Sequence, residues 1–309
     1  MERLDYSINS DGQLISNKKE VNMEFIGTAG LGLNAPKIVM VDGTKGFLKV
    51  SANTTQTFDK FEFLISKLGK YMNIKTANEY FIVDNNSTYL LSESVTNDSL
   101  GQELIMASDI DRELVVSRKA SQEEIMSMKK ESEDFKKEIV QARDYTIPKV
   151  DNDQIDKVIN IFIDRVKMMK LDNEEEIIED YIKMCFFDIL TGNQDRNTNN
   201  YGLIKNSDGT YSFAPLFDSS TIAIPELSPS LCQINNYLID KSSLLKYLLR
   251  TYPNYLDDVI NVDMDKVGYD MNKLSQEVLN EKEYKWFNDA VLNRLNNETF
   301  NMVRGKKLG

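Results

Sequence analysis

Histidine is absent from all 309 residues. That single absence removes Ser-His-Asp and Cys-His catalysis, histidine-ligated zinc and every imidazole general base. An enzyme built from this chain would take protons with a carboxylate. It would hold a metal through oxygen, which favours Mg²⁺ or Ca²⁺ over zinc. Cysteine is scarce: Cys185 and Cys232 are too few for a disulfide framework or a four-thiolate zinc site, and they suit a reducing compartment. No apolar run approaches the length of a membrane span. The start, "MERLDYSINSDGQ", has neither a basic nor an apolar signal region, so a cytoplasmic location is expected. Positive charge is also short, with 37 basic against 49 acidic residues and a formal charge of −12. Such a balance repels nucleic acid and anionic membrane, and neither is expected as a partner. Internal repeats and low-complexity segments are missing too.

What is present suffices for a globular protein of one large or two ordinary domains: 41% of the residues are hydrophobic and 9% aromatic. From residue 22 to about 95, short β-prone runs ("NMEFIG", "KIVMV", "GFLKVS", "EYFIV", "TYLLSES") are separated by glycine, asparagine and aspartate turns. One helix is predicted among them, "TFDKFEFLISKLGKYM", with Phe61, Leu64, Ile65 and Leu68 at helical spacing and Gly69 near its end. Residues 98–150 read as a charged, helical insertion or hinge region. From 151 to 309 the pattern is helical, interrupted only by the polar loop "TGNQDRNTNNYGLI" and the strand-turn-strand "YGLIKNSDGTYSF". These boundaries (1–97, 98–150, 151–309) describe a β-rich half, a helical connection and an α-rich half, an α+β chain.

The polar loop carries the chemistry. Asp195 is followed five residues on by Asn200, and Asp218 stands in "APLFDSS" after the hairpin that Asn200 opens. A hairpin returns its ends to one place, so Asn200 and Asp218 are expected to converge, with Asp195 one turn away. A carboxylate and an amide oxygen can ligate Mg²⁺ while a second carboxylate deprotonates a hydroxyl nucleophile, the set that phosphoryl transfer requires. Each residue alone is equally at home as a turn former or helix cap. In the β-rich half "GTAGLGLNAPK", residues 27–37, puts Gly27, Gly30 and Gly32 between two strands, where backbone N–H groups can approach an anion. It is neither a Walker A sequence nor a dinucleotide fingerprint, and an ordinary glycine-rich turn reads the same way. Downstream, Lys49 alternates with Phe47 and so faces away from Leu48, and Glu62 on the following helix could pair with it. The order of glycine loop, strand lysine, helix glutamate, Asp-x4-Asn and then Asp is that of a protein-kinase active site.

The segments "ILTGNQDRNTNNYGLI" and "FAPLFDSS" resemble the catalytic core of the HipA-like serine/threonine kinases, whose motif runs approximately GNxDRHxxNxG and then lxPxYD. "GTAGLGLNAPK" is similar to the SxGGxxPK loop of that family. The resemblance implies a bilobal protein-kinase-like fold and Mg-ATP-dependent phosphorylation of a protein. It implies Asp195 as catalytic base, Asn200 and Asp218 as Mg²⁺ ligands, Lys49 as the phosphate-contacting lysine and Glu62 as its partner. Gly27, Thr28, Gly30, Gly32 and Lys37 of the loop, and Glu93 at the end of "TYLLSES", complete the expected nucleotide-binding set. Thr28 is the hydroxyl that such a kinase could phosphorylate on itself. The chain departs from the pattern in carrying Asn197 where the family has histidine, and in a loop about two residues longer. Only some two dozen residues precede that loop, similar to toxin kinases whose N-terminal subdomain is a separate protein. A toxin–antitoxin module with an antitoxin or subdomain-like partner is therefore expected. Two other readings fit the same residues: a small-molecule or phosphoinositide kinase, and an inactive nucleotide- or partner-binding module.

Overall fold

A computed structural model describes residues 1–29, 36–49, 56–84, 87–140, 147–219 and 231–293. The chain forms two compact units. The first comprises 1–97, 215–222 and 260–309, and the second 98–214 and 223–259. The helices after residue 260, which the sequence pattern assigns to the α-rich half, thus group with the β-rich one.

In the first unit, β1 (Glu2–Ile8), β2 (Leu14–Glu20), β3 (Met23–Thr28), β4 (Lys37–Val41), β5 (Thr44–Lys49), β6 (Glu79–Asp84) and β7 (Ser87–Glu93) form one sheet in the order β2-β1-β6-β7-β5-β4-β3. All of its pairings are antiparallel. The β1–β2 hairpin lies ahead of the strand-rich region read from sequence. Its signal was the alternation of Leu4, Tyr6 and Ile8, closed by a turn in which Asn9 Oδ1 accepts from the backbone N–H groups of Asp11 and Gln13. One sheet face buries Val21, Val39, Val41, Leu48, Ile82 and Leu91 together. The other is covered by α1 (Gln56–Tyr71), the helix expected from its periodicity. Phe63 of α1 packs on Phe81 at 4.6 Å between ring centroids and on Tyr6 at 5.9 Å. Phe61, Leu64, Ile65 and Leu68 are all buried, each contributing roughly 1.5–3 kcal/mol.

The second unit opens with β8 (Glu103–Met106), α2 (Ile110–Val116), α3 (Gln122–Val140), α4 (Ile155–Met169) and α5 (Glu174–Thr191). The strand β8 was not expected inside 98–150. It pairs with β9 (Gly202–Lys205), which pairs in turn with β10 (Tyr211–Phe213). The backbones meet so closely at Gly202 that a Cβ there would lie 2.1 Å from the Ile105 carbonyl oxygen, so only glycine fits. A second hairpin, β11 (Leu231–Ile234) with β12 (Tyr237–Asp240), corrects the expectation that only the polar loop and the strand-turn-strand after it interrupt the helices. Asn235 and Asn236 make its two-residue turn, at φ 51° and 66°. Asparagine tolerates that conformation, and the pair carried a turn signal in the sequence. The helices α6 (Lys241–Thr251) and α7 (Asp257–Ile260) follow. α5 is buried on nearly all sides, and its Tyr181 stacks with Phe162 of α4 and Tyr201. Back in the first unit, α8 (Met264–Val278) and α9 (Glu281–Phe287) follow, the latter running on into a π-helical turn over Asn288–Leu292, with Trp286 and Phe287 against Phe61. The α+β class read from the sequence is the class observed.

Candidate active site

The polar loop is shaped by an ion pair that the sequence gives no reason to single out. α5 ends at Gly192, whose φ of 70° reverses the chain. Arg196, fully buried, then reaches back to Asp188 on that helix: Nε donates to Oδ2 at 2.9 Å and Nη2 to Oδ1 at 3.0 Å. Its Nη1 donates to the Asn200 carbonyl at 2.6 Å, and Asn193 Nδ2 adds a third donor to Asp188 at 3.0 Å. A forked guanidinium on a carboxylate, with further hydrogen bonds on both partners, makes so buried a pair tolerable and fixes the loop between residues 193 and 200.

On this support stand three of the residues predicted from sequence or weighed there. The Asp195 backbone N–H donates to Asn193 Oδ1 at 3.0 Å. Asn197 Nδ2 donates to Asp195 Oδ1 at 2.7 Å. Asn197, at the position where the resembled motif has histidine, thus holds the Asp195 carboxylate through Oδ1. Asn200 Nδ2 donates to the Asp195 carbonyl at 2.7 Å, so the amide is oriented with its oxygen, an acceptor, at the other end. The β11–β12 hairpin braces the loop, with a bridge from Ile234 to Arg196 and a 3.2 Å hydrogen bond from Asn236 to Thr198.

In the first unit Lys49, Glu62 and Asp218 meet. Lys49 Nζ lies 2.5 Å from Glu62 Oε2 and 3.2 Å from Asp218 Oδ1. Asp218 is carried there by the segment after β10, where Leu216 exchanges backbone hydrogen bonds with Lys75 and Ala77. It holds φ 50°, a left-handed conformation that aspartate adopts more readily than most residues. Its carboxylate is 48% exposed, whereas Glu62 is 1% exposed. Burial works against the Lys49 ammonium, but Glu62 and Asp218 outweigh it and raise its pKa, so it stays charged. Glu62 is raised by burial, with Lys49 opposing.

A third carboxyl, Glu79 on β6, was missed. The register pairs Glu79 with Ser92 and Lys49 with Leu90, placing both on the sheet face that α1 covers. Nothing in the local run "EYFIV" marks it, because its neighbours come from other strands.

The glycine loop joins β3 to β4. Gly27 and Thr28 end β3, Lys37 begins β4, and Thr28 pairs with Lys37. Gly30 and Gly32 lie outside the described residues. Lys37, exposed, pairs with Leu48 and so occupies the face opposite Lys49. Glu93 is not brought to the lysine either. It pairs with Gly46, on that opposite face, where it receives Asn78 Nδ2 at 2.9 Å and Arg3 at 4.0 Å. Asp218 belongs to the first unit, and Asp195 and Asn200 to the second. Among the described residues no cluster of three or more Asp, Glu or Cys side chains forms a self-sufficient metal cage. Both cysteines are buried and unbridged, and no described helix is long and apolar enough to cross a membrane.

No family model matches the chain, and no curated protein does. Solved structures do. A Helicobacter pylori proinflammatory kinase, CtkA, aligns over 90% of this chain and 95% of its own, at 12% identity and a TM-score of 0.53. HipA from Shewanella oneidensis MR-1, in a toxin–antitoxin complex with HipB and operator DNA, aligns over 88% of this chain and 63% of its own, at 13% identity and a TM-score of 0.47. Because that complex contains DNA, the expectation of no nucleic-acid partner draws no support from it. The chain has the α+β fold of the H. pylori kinase.

Proposed function

We propose that this chain is a Mg²⁺- and ATP-dependent serine/threonine protein kinase of the HipA-like type. The observation that supports this best is the contact of Lys49 with both Glu62 and Asp218, a strand lysine joined to a helix glutamate and to the aspartate proposed as metal ligand. Lys49 is kept charged by these partners, and its role is to bind the nucleotide phosphates. Asn200 Oδ1 and the Asp218 carboxylate would hold Mg²⁺, which when bound draws negative charge from the phosphoryl group in transfer. Asp195, held by Asn197 through Oδ1, accepts the acceptor hydroxyl's proton at Oδ2 while that oxygen bonds to the γ-phosphorus and ADP departs. The buried Arg196–Asp188 pair keeps Asp195 and Asn200 in place without touching the reactants. The resemblance to HipA-like toxins adds a role in a toxin–antitoxin module, an antitoxin-like protein partner and a cytoplasmic setting to the same proposal.

The test is incubation of the protein with labelled ATP, Mg²⁺ and a cell lysate, beside Asp195→Asn. Label should pass to protein serine or threonine with the wild type. The variant should lose on the order of 10²–10⁴-fold in rate while binding Mg-ATP with unchanged affinity. Absence of transfer by the wild type to any protein, or full activity of the variant, would overturn the assignment.

A further inference from the structure

Two buried carboxyls, Glu62 and Glu79, lie near Lys49 on the α1 face of the sheet. Glu62 gives Oε2 to Lys49, and its buried Oε1 has no hydrogen-bond partner among the described residues. Glu79, 2% exposed, likewise has a buried Oε2 with no partner among the described residues. The two side chains are within hydrogen-bonding reach of each other. Orphaned carboxyl oxygens are costly in an interior, and two ionised carboxylates side by side repel. A proton between them removes both difficulties, since one carboxyl becomes a donor to the other.

We propose that Glu79 carries that proton at neutral pH, donates it to Glu62, and is thereby the positioning residue that holds Glu62 on Lys49. The charged groups acting on Glu79 support this. Burial comes first and then the Glu62 charge, both favouring the protonated form, against Lys49 of β5 and Lys70 of α1, and the net direction is well upward. Glu62, which touches the ammonium directly, is the partner that stays ionised. The face of the sheet makes the arrangement possible: β7 separates β6 from β5, and Glu79 and Lys49 occupy the same face, the one that α1 covers. The consequence for nucleotide binding rests on the kinase reading, while the proton itself does not.

The experiment therefore has two independent parts, both on the full chain. Infrared difference spectra of wild type minus Glu79→Gln at pH 7 should show the C=O stretch of an un-ionised carboxylic acid. No such band, or a band that survives in Glu79→Gln, overturns the proposal. In steady-state kinetics Glu79→Met, matched in size but unable to donate, should lower kcat/KM for Mg-ATP on the order of tenfold by leaving Glu62 Oε1 orphaned. Glu79→Gln, whose amide donates in the proton's place, should restore most of the loss. Equal losses in the two variants would overturn the positioning role. If the wild type transfers no phosphate, the kinase reading fails, and the infrared band still decides the proton.

Discussion

Replacing Asp188 by alanine should damage the loop from a distance, and the structure sets the size of the effect. Three hydrogen bonds vanish at once: two from Arg196, at 2.9 and 3.0 Å, and one from Asn193 at 3.0 Å. Arg196 is fully buried and, unlike a lysine, does not escape by losing its proton. Breaking a buried pair on one side costs about 3–5 kcal/mol, more than its formation contributes, because an uncompensated charge is left behind. Asp188→Ala is therefore expected to lose about 3–5 kcal/mol in urea unfolding, and to lose phosphotransfer as Asp195 and Asn200 drift from their places. Asp188→Leu combined with Arg196→Met removes both charges and should be more stable than Asp188→Ala, yet remain inactive, since nothing then holds the Asn200 carbonyl. A loss below about 1 kcal/mol in Asp188→Ala, the range of an exposed pair, would refute the reasoning. So would a double variant less stable than the single one.

Lys49→Ala leaves Glu62 buried without its cation, so phosphotransfer should fall and the carboxyl should take up a proton. With its folded pKa raised above the ordinary 4.5, the folded state binds more protons than the unfolded one. Stability of the variant should then decline as pH rises from 4.5, more steeply than in the wild type, as thermal melts across that range will show; parallel curves would count against the pairing. Gly202→Ala drives a Cβ to 2.1 Å from the Ile105 carbonyl and should cost at least about 1–3 kcal/mol in unfolding, whereas Gly43→Ala, with nothing within 4 Å, meets no such obstruction and suffers only from its φ of 83°. Thr28, exposed at the end of β3, should carry phosphate in wild-type protein and none in Asp195→Asn made in the same host; mass spectrometry of the pair decides, and equal phosphate on both would point to another kinase.

Residue spacing alone determined several features of this protein. The helix over Phe61, Leu64, Ile65 and Leu68, the alternation that turns Lys49 away from Leu48, the β9–β10 hairpin and the absence of imidazole chemistry follow from local periodicity and composition, and local rules govern them. Spacing also singled out Asp195, Asn200 and Asp218, of which the structure joins Asn200 to the Asp195 carbonyl and Asp218 to Lys49. The tertiary structure alone decided which of the remaining candidates stand together. Lys37 and Glu93 were grouped with Lys49 in the nucleotide-binding set that the resemblance implies, yet strand register puts both on the other sheet face. Glu79 comes to the same sheet face as Lys49 although no pattern marks it. Arg196 and Asp188 read as one more loop charge and one more helix acid until the chain turns at Gly192 and buries them face to face. The reason lies in range. Periodicity reports on neighbours a few residues apart, while Lys49 and Asp218 are 169 residues apart, and only the pairing of distant strands and the burial of what lies between them bring such groups into contact.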